Sequence, residues 1–297
     1  MDHWDEIRTA FHVARAGTVS GAADSLGIHH ATVIRHVDSL EARMGVKLFQ
    51  RHARGYTPTE AGSDLARIAA TTEEQFIQLG TRLKGQGEDV SGEVVVTALA
   101  SFSSRLAPVL SAFQHAHPNT VIRLRTGLRL FRLEYGEAHV AIRAGSAPQE
   151  PDNVAQKFLN LDLALCVSPT YVARYGMPTE DTLDQHRFIG VDEANSRAPF
   201  ARWMNEHIPD ENITFRVTDD ISQQHAVLAG AGAGFVVRGE HPELIEVMPV
   251  QPEWRSGFWL VTHVDLHRTA KVQAVLRYLK EAAVEWVKSD PAISLPD

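Results

Sequence analysis

The chain has 297 residues, 44% hydrophobic and 22% charged, which supports a sizeable core and, at this length, two or three compact units. Its formal net charge of −8 argues against a surface that binds polyanions indiscriminately, and its single cysteine, Cys166, excludes an intrachain disulfide and any cysteine-based zinc or iron-sulfur site. The acidic, helical start MDHWDEIRTAF is unlike a secretory leader, and no apolar run approaches the ~18 residues of a membrane helix, so a cytoplasmic protein without membrane contact is expected.

Trp4, Ile7, Phe11 and Ala14 recur at helical spacing before Gly17 and predict a first amphipathic helix. Ser20 is placed as the N-cap of a short second helix, with Ala22, Ala23 and Leu26 inward and Gly27 as its stop. Val33, Val37, Leu40 and Met44 line one stripe of a third helix that ends at Gly45. Three short helices with a glycine between the second and third predict a helix-turn-helix. From Ala42 to Thr59 lies a basic island of Arg43, Lys47, Arg51 and Arg54 with no acidic residue. Most of it falls on a predicted two-stranded wing, Lys47 to Arg51 and Tyr56-Thr57 about a tip at Arg54-Gly55.

Thr57-Pro58-Thr59-Glu60 matches a capping box with proline at the first helical position. The long helix it opens carries Leu65, Ala69, Thr72, Phe76, Leu79 and Leu83 in steps of three and four, a heptad-like seam short enough that packing on its own domain stays open. From Gly92 strands and helices alternate, an α/β pattern with a largely parallel sheet or sheets. Strands are expected at 94–98, 121–124, 140–142, 163–167, 188–191, 214–217, 235–237 and 258–262, with a last helix near 270–287. The tail 289–297, with two prolines, is expected to be loosely held.

Phe11, Gly17-Thr-Val-Ser-Gly-Ala-Ala23, Leu26-Gly27, Thr32-Val33, Arg35, Leu40-Glu41, Gly45-Val-Lys-Leu-Phe49, Arg51 and Gly55-Tyr-Thr-Pro-Thr-Glu-Ala-Gly62 resemble the N-terminal domain of LysR-type transcriptional regulators. His117-Pro118, the run from Gly136 to Arg143 and that from Ala229 to Val237 extend the resemblance through nearly the whole chain. It implies a winged helix-turn-helix over 1–62, a linker and dimerisation helix over 63–88, and a two-lobed, periplasmic-binding-protein-like effector domain over 89–297. Lobe I would span about 89–162 and 258–288, and lobe II about 163–257. A homodimer or homotetramer, a dyad-symmetric DNA operator and a small-molecule effector between the lobes are implied with it. Three positions depart from the family's pattern: His29 and Ile34 stand where serines are common, and His139 where an aspartate is usual.

With Val33, Val37, Leu40 and Met44 inward, Ala31, Arg35 and Asp38 point away from the core, flanked by His30 and Ile34. Arg35 can read guanine in a bidentate fashion or grip phosphate; Ile34 can touch only a thymine methyl or a sugar. Thr18, Ser20, Arg51 and Arg54 are phosphate candidates, with capping as the other reading of Ser20. His29, His30 and His36 lack an acidic or cysteine ligand beside them, so neither a metal nor a cofactor is expected. Leu65, Thr72, Phe76 and Leu79 are the dimerisation candidates.

Ser101, Ser103 and Ser104 follow a strand and open a helix, where backbone amides favour a small anionic or strongly polar effector; plain capping is the alternative. The resemblance adds Asp192, Phe200 or Ser222 from the opposite lobe. Gly230-Ala-Gly-Ala-Gly234 runs helix to strand, the reverse of a dinucleotide loop, and fits close packing instead. An α/β enzyme or solute-binding protein with an assembly domain is the alternative class, without a nucleophile elbow or metalloprotease motif to support it.

Overall fold

The computed structural model describes residues 4–52, 55–83, 90–127, 129–192 and 198–296. They form two compact units, one of residues 1–88 with 132–137, the other of 89–131 with 138–297.

In the first unit α1 (Trp4–Ala16), α2 (Val19–Leu26) and α3 (His30–Met44) precede a hairpin of β1 (Phe49–His52) and β2 (Gly55–Pro58), then α4 (Glu60–Leu83). Ala10, Val13, Ala22, Val33, Val37, Leu40, Leu48 and Phe49 make its core. Gly27 and Gly45 end α2 and α3 at φ +66° and +69°, left-handed positions that a side chain would strain.

Three local expectations shift. Thr18, not Ser20, caps α2, accepting from the Gly21 amide at 3.1 Å, which leaves Ser20 exposed on the helix. Met44 is 45% exposed, and the last inward position of α3 is taken by Glu41 at 3%. Pro58 pairs with Phe49 in the hairpin, so α4 starts two residues later than the capping box suggests. Its cap is Thr59, whose hydroxyl accepts from the Gly62 amide at 3.1 Å and donates to the Lys47 carbonyl at 2.7 Å. The strand takes precedence because the hairpin ladder holds Thr57 and Pro58 extended.

The heptad seam of α4 also divides. Leu65 packs on the helix-turn-helix core and Ala69 is buried, whereas Ile68 and Phe76 are each 55% exposed. Phe76 meets Trp4 edge-on at 5.5 Å. The segment 132–137 belongs to this unit: Leu133 is fully buried, and a Cβ on Gly136 would lie 2.1 Å from the Thr71 hydroxyl.

The second unit begins β3 (Gly92–Ala98), α5 (Ser103–Ala116), β4 (Thr120–Thr126), β5 (Val140–Ala144) and β6 (Asn153–Leu161). It continues β7 (Leu163–Val167), α6 (Pro169–Tyr175), β8 (Phe188–Val191), α7 (Pro199–His207), β9 (Ile213–Val217), α8 (Asp220–Leu228), β10 (Gly234–Val237) and β11 (Ile245–Glu246). It closes with β12 (Ser256–His263), α9 (Val264–His267), α10 (Ala270–Ser289) and β13 (Ile293–Ser294). One sheet has the order β13-β6-β12-β5-β3-β4; a second lobe holds β10-β7-β11 beside the β8-β9 pair, joined by a Phe188 to Ala233 bridge. Each lobe has its own core, around Phe102, Phe113, Leu159 and Leu279 in the first and Tyr171, Phe188, Phe235 and Trp254 in the second.

The sheets are mixed rather than largely parallel. β3 pairs in parallel with β4 and β5, but β12 lies antiparallel to both β5 and β6, because β6 and β12 carry the chain out of lobe I and back. The strand β6 has no counterpart among the sequence expectations, its pattern being broken by a register shift at Phe258/Trp259 of β12. Nor is the tail loose. Ile293 and Ser294 extend β6, Ala292 and Ile293 are buried, and the Ala292 carbonyl accepts from Asp162 at 2.8 Å.

Three histidines, the buried His12 and His186 and the half-buried His267, are held below the ordinary histidine value of 6.5 chiefly by desolvation, which at His12 outweighs the nearby Glu73 carboxylate. Each is neutral in the fold and binds a proton more readily once unfolded, so stability is present above 6.5 and is lost as pH falls below it. Denaturant unfolding midpoints should therefore drop between about pH 7 and pH 5.5, a window above the range where ordinary carboxylates protonate. Equal midpoints across that window would contradict the assignment.

Candidate nucleic-acid interface and ligand cleft

Along α3 the inward Val33, Val37 and Leu40 leave His30, Ala31, Ile34, Arg35 and Asp38 exposed on the opposite side. A 3.6-residue period with this spacing makes them one continuous outer face. Thr18 and Ser20 sit at the start of α2, Thr18 half-buried in its capping role. Arg54 lies outside the described residues, as does the side chain of Leu79; Thr72 donates to the Ile68 carbonyl at 2.9 Å within α4.

Glu41 organises the wing, a role that its place in the family motif does not reveal. Its side chain is 2% exposed, and Oε1 accepts the Leu48 and Phe49 amides at 2.9 and 3.2 Å. Oε2 accepts from Lys47 Nζ at 2.7 Å and Arg51 Nη2 at 3.0 Å. Desolvation raises its pKa, but the hydrogen bonds from Lys47, Leu48 and Phe49 and the charge of Arg51 together hold it below the usual carboxylate range. Arg51 is further bound by Asp38 at 2.5 Å and stacks 5.3 Å over the Tyr56 ring. Arg43 pairs with Glu6 at 2.9 Å. Much of the basic island thus ties α3 to the wing and to α1, with Arg51 using only Nη2 for its two carboxylate partners. The wing docks on the α1 turn as well: Tyr56 donates to the Gly17 carbonyl at 2.8 Å, and a Cβ on Gly55 would lie 2.2 Å from that oxygen. A polar residue at the last inward turn of a helix, followed six and ten residues on by cations, is the signal that could have revealed this arrangement.

In the second unit the turn after β3 forms a short 3-10 turn, Ala100–Phe102, that leads into α5. Here the three serines part. The Ser101 amide donates to Asp220 Oδ2 at 3.0 Å, and its hydroxyl donates to the same oxygen. The Ser103 and Ser104 hydroxyls turn back to the Ala100 and Ser101 carbonyls, at 2.5 and 3.4 Å. In lobe II, Ser222 donates through its amide and hydroxyl to Asp219 at 2.8 and 2.7 Å, bonds that hold that carboxyl below its usual range. Asp192 is exposed at the end of β8, and Phe200 packs on Phe235 with ring centroids 5.4 Å apart. A cavity of about 490 Å³ lies within lobe II, walled by Trp203, His207 and Met248 under Glu180, Asp181, Asp184 and Glu253; none of the predicted effector residues lines it.

Several remaining motifs have structural explanations. The Gly230–Gly234 run packs a helix on a strand: Cβ atoms on Gly232 and Gly234 would come within 2.7 Å of Arg187 O and Val227 Cγ2 respectively. His139 Nδ1 accepts the Val95 amide at 2.9 Å, extending the β3–β5 pairing just before β5 begins. Burial pushes the Cys166 thiol up to about 12, which makes it inert.

Residues 4–63 match the bacterial regulatory helix-turn-helix protein, lysR family, and residues 87–284 match the LysR substrate binding domain. The chain belongs to the LysR family. It is a DNA-binding transcriptional regulator with an effector-binding domain, not an enzyme. An HTH-type transcriptional repressor of Pseudomonas aeruginosa is 27% identical over 96% of this chain and 93% of its own length. The HTH-type transcriptional activator IlvY of Salmonella typhimurium is 31% identical over 68% of this chain and 70% of its own. Among solved structures, a full-length OxyR variant from Pseudomonas aeruginosa shares the fold with a TM-score of 0.67 at 16% identity, covering 94% of this chain and 93% of its own. Full-length LysG from Corynebacterium glutamicum with bound effector Arg does so with a TM-score of 0.65 at 14% identity, covering 95% and 98%.

Glu41→Ala should leave two buried amides without acceptors, at about 1–3 kcal/mol each, and detach Lys47 and Arg51 from α3. The helix-turn-helix unit should lose roughly 2–6 kcal/mol in denaturant unfolding, and DNA affinity should fall with Arg35 and the outer face of α3 unaltered. A stability within about 0.5 kcal/mol of wild type would remove Glu41 from its central place.

Proposed function

We propose that α3 enters the major groove of a dyad-symmetric operator, with Arg35 as the base reader and His30, Ala31 and Ile34 beside it. Thr18, Ser20, Arg51 and Arg54 hold the flanking phosphates. The observation that carries this reading is the outer face of α3, exposed from His30 to Arg35 while the wing is locked beside it by Glu41. A structure of CbnR complexed with its target DNA, 19% identical with a TM-score of 0.50, has the same overall fold and supports the reading.

The seam of Leu65, Thr72, Phe76 and Leu79 joins two copies of α4, the exposed Ile68 and Phe76 providing its apolar face and Leu65 its root in the helix-turn-helix core. Two copies then present two recognition helices to two half-sites, as a dimer or as half of a tetramer. Residues 1–62 act as the reader, 63–88 as the connector and 89–297 as the sensor. The DNA partner and the single cysteine suit a cytoplasmic protein, and no helix among the described residues is long and apolar enough to cross a membrane.

The sensor takes a small anionic or strongly polar molecule at the Ser101 turn, with Ser103 and Ser104 on lobe I and Asp192, Phe200 and Ser222 on lobe II around it. The bound arginine effector of LysG, itself carrying a carboxylate, is compatible with this chemistry.

Arg35→Ala should erase discrimination between operator and unrelated DNA, since a bidentate base contact is worth about 1–3 kcal/mol, while the unfolding midpoint stays unchanged. Gel shifts against the upstream region of its own gene, with scrambled DNA as competitor, would measure it; undiminished selectivity would contradict the reading. Phe76→Lys should place a charge in the seam, halve the mass seen by sedimentation and collapse operator affinity. An unchanged mass would mean that Phe76 serves only its contact with Trp4.

A further inference from the structure

Ser101 and Asp220 come from opposite lobes, 119 residues apart, and the bond between them is unlike an ordinary surface contact. A backbone amide and a hydroxyl of one residue converge on a single carboxylate oxygen. The turn lies beyond the carboxyl end of β3, where open α/β sheets present amides to a ligand's anionic group. Asp220 has no part in capping its own helix, because its neighbour Asp219 does that through the Ser222 amide and hydroxyl. The Asp220 carboxylate is therefore directed across the cleft. One helical turn beyond Ser101, Arg105 pairs with Glu240, in the turn after β10, at 3.5 Å and with Asp290 at 2.8 Å, so this face of lobe I meets acidic groups at both levels.

We propose that Asp220 is an internal ligand of the Ser101 turn, holding the two lobes together, and that the effector is a carboxylate that displaces it. The proposal rests on the effector reading above and adds the regulation of that site. One amide and one hydroxyl cannot serve two carboxylates, and two like charges at that separation repel, so occupancy is exclusive. A molecule that takes the turn must release Asp220, and α8 with it, from lobe I. Ligand binding then changes the relation between the lobes through its different affinity for the joined and parted states. The apparent affinity for effector is lowered by the fraction of molecules in which Asp220 still holds the turn, which gives the sensor a threshold. Neutral molecules of the same shape gain nothing from the exchange.

The full chain would be tested with Asp220→Ala and with the uncharged but similarly shaped Asp220→Asn. Asp219 keeps α8 capped in both. Amide hydrogen exchange, followed without any ligand, should be at least about tenfold faster at Ser101 in Asp220→Ala, because that amide loses its acceptor. Calorimetric titration with acetate, succinate and benzoate, each beside its neutral amide, should show carboxylate affinity raised about tenfold in Asp220→Ala and less in Asp220→Asn, with amide affinity unmoved. Unchanged exchange at Ser101 would overturn the bond between the lobes. Faster exchange with carboxylate binding equal to or weaker than wild type would overturn the internal ligand while leaving the effector reading intact. Binding of none of the carboxylates by any of the three proteins would overturn the effector reading, and the displacement with it.

Discussion

A buried carboxylate on α3 is the constraint on which the helix-turn-helix half of this regulator depends. Glu41 lies at an inward position of α3, where burial alone would favour an aliphatic side chain, and it is stable there because four donors converge on it. Two are the amides that open β1, which no helix or sheet ladder would otherwise satisfy. The other two are side-chain cations whose backbones lead into and along the wing. A single group therefore fixes the distance between α3 and the wing. It also explains how a chain with a net charge of −8 can carry a basic element without that element drifting from its helix.

The effector half is governed by a different constraint, the two antiparallel strands that tie its lobes together. β6 and β12 pair along their lengths, and Asp162 follows the first as Arg255 precedes the second; the two residues form an ion pair at 2.7 Å. The Asp162 amide also takes the Ala292 carbonyl, so the chain's last strand braces the same crossover. Lobe motion about such a pair of strands would be resisted on the cleft side by the bond from Ser101 to Asp220 and by Arg105 between Glu240 and Asp290.

Much of the first unit was legible because its signals are local. Glycines at 17, 27, 45 and 55 mark turns at positive φ, and the period of Val33, Val37 and Leu40 is enough by itself to assign the outer face of α3. The places where the reading slipped are those where two local signals compete. Thr57 and Thr59 both suit a helix start, and the hairpin partner of Pro58 decides between them. Met44 and Glu41 fall on adjacent inward positions, and only the wing's amides make the acid the buried one. In α4 one apolar pattern serves two surfaces, Leu65 and Ala69 facing the domain core and Ile68 and Phe76 facing outward.

By itself the sequence determined the order of helices and most strands, the surface of α3 that reads outward, the turn that carries Ser101 and the family to which the chain belongs. These follow from residues within a few positions of one another, whose periods and backbone preferences need no distant partner. Tertiary structure alone decided that Glu41 gathers the wing, that His139 extends the pairing of β3 with β5, that β6 runs against β12 with the tail on its far side, and that Asp220 crosses to Ser101. Each of those pairings joins groups whose neighbours in the chain say nothing about the partner, and closure of the fold brings them within hydrogen-bonding distance.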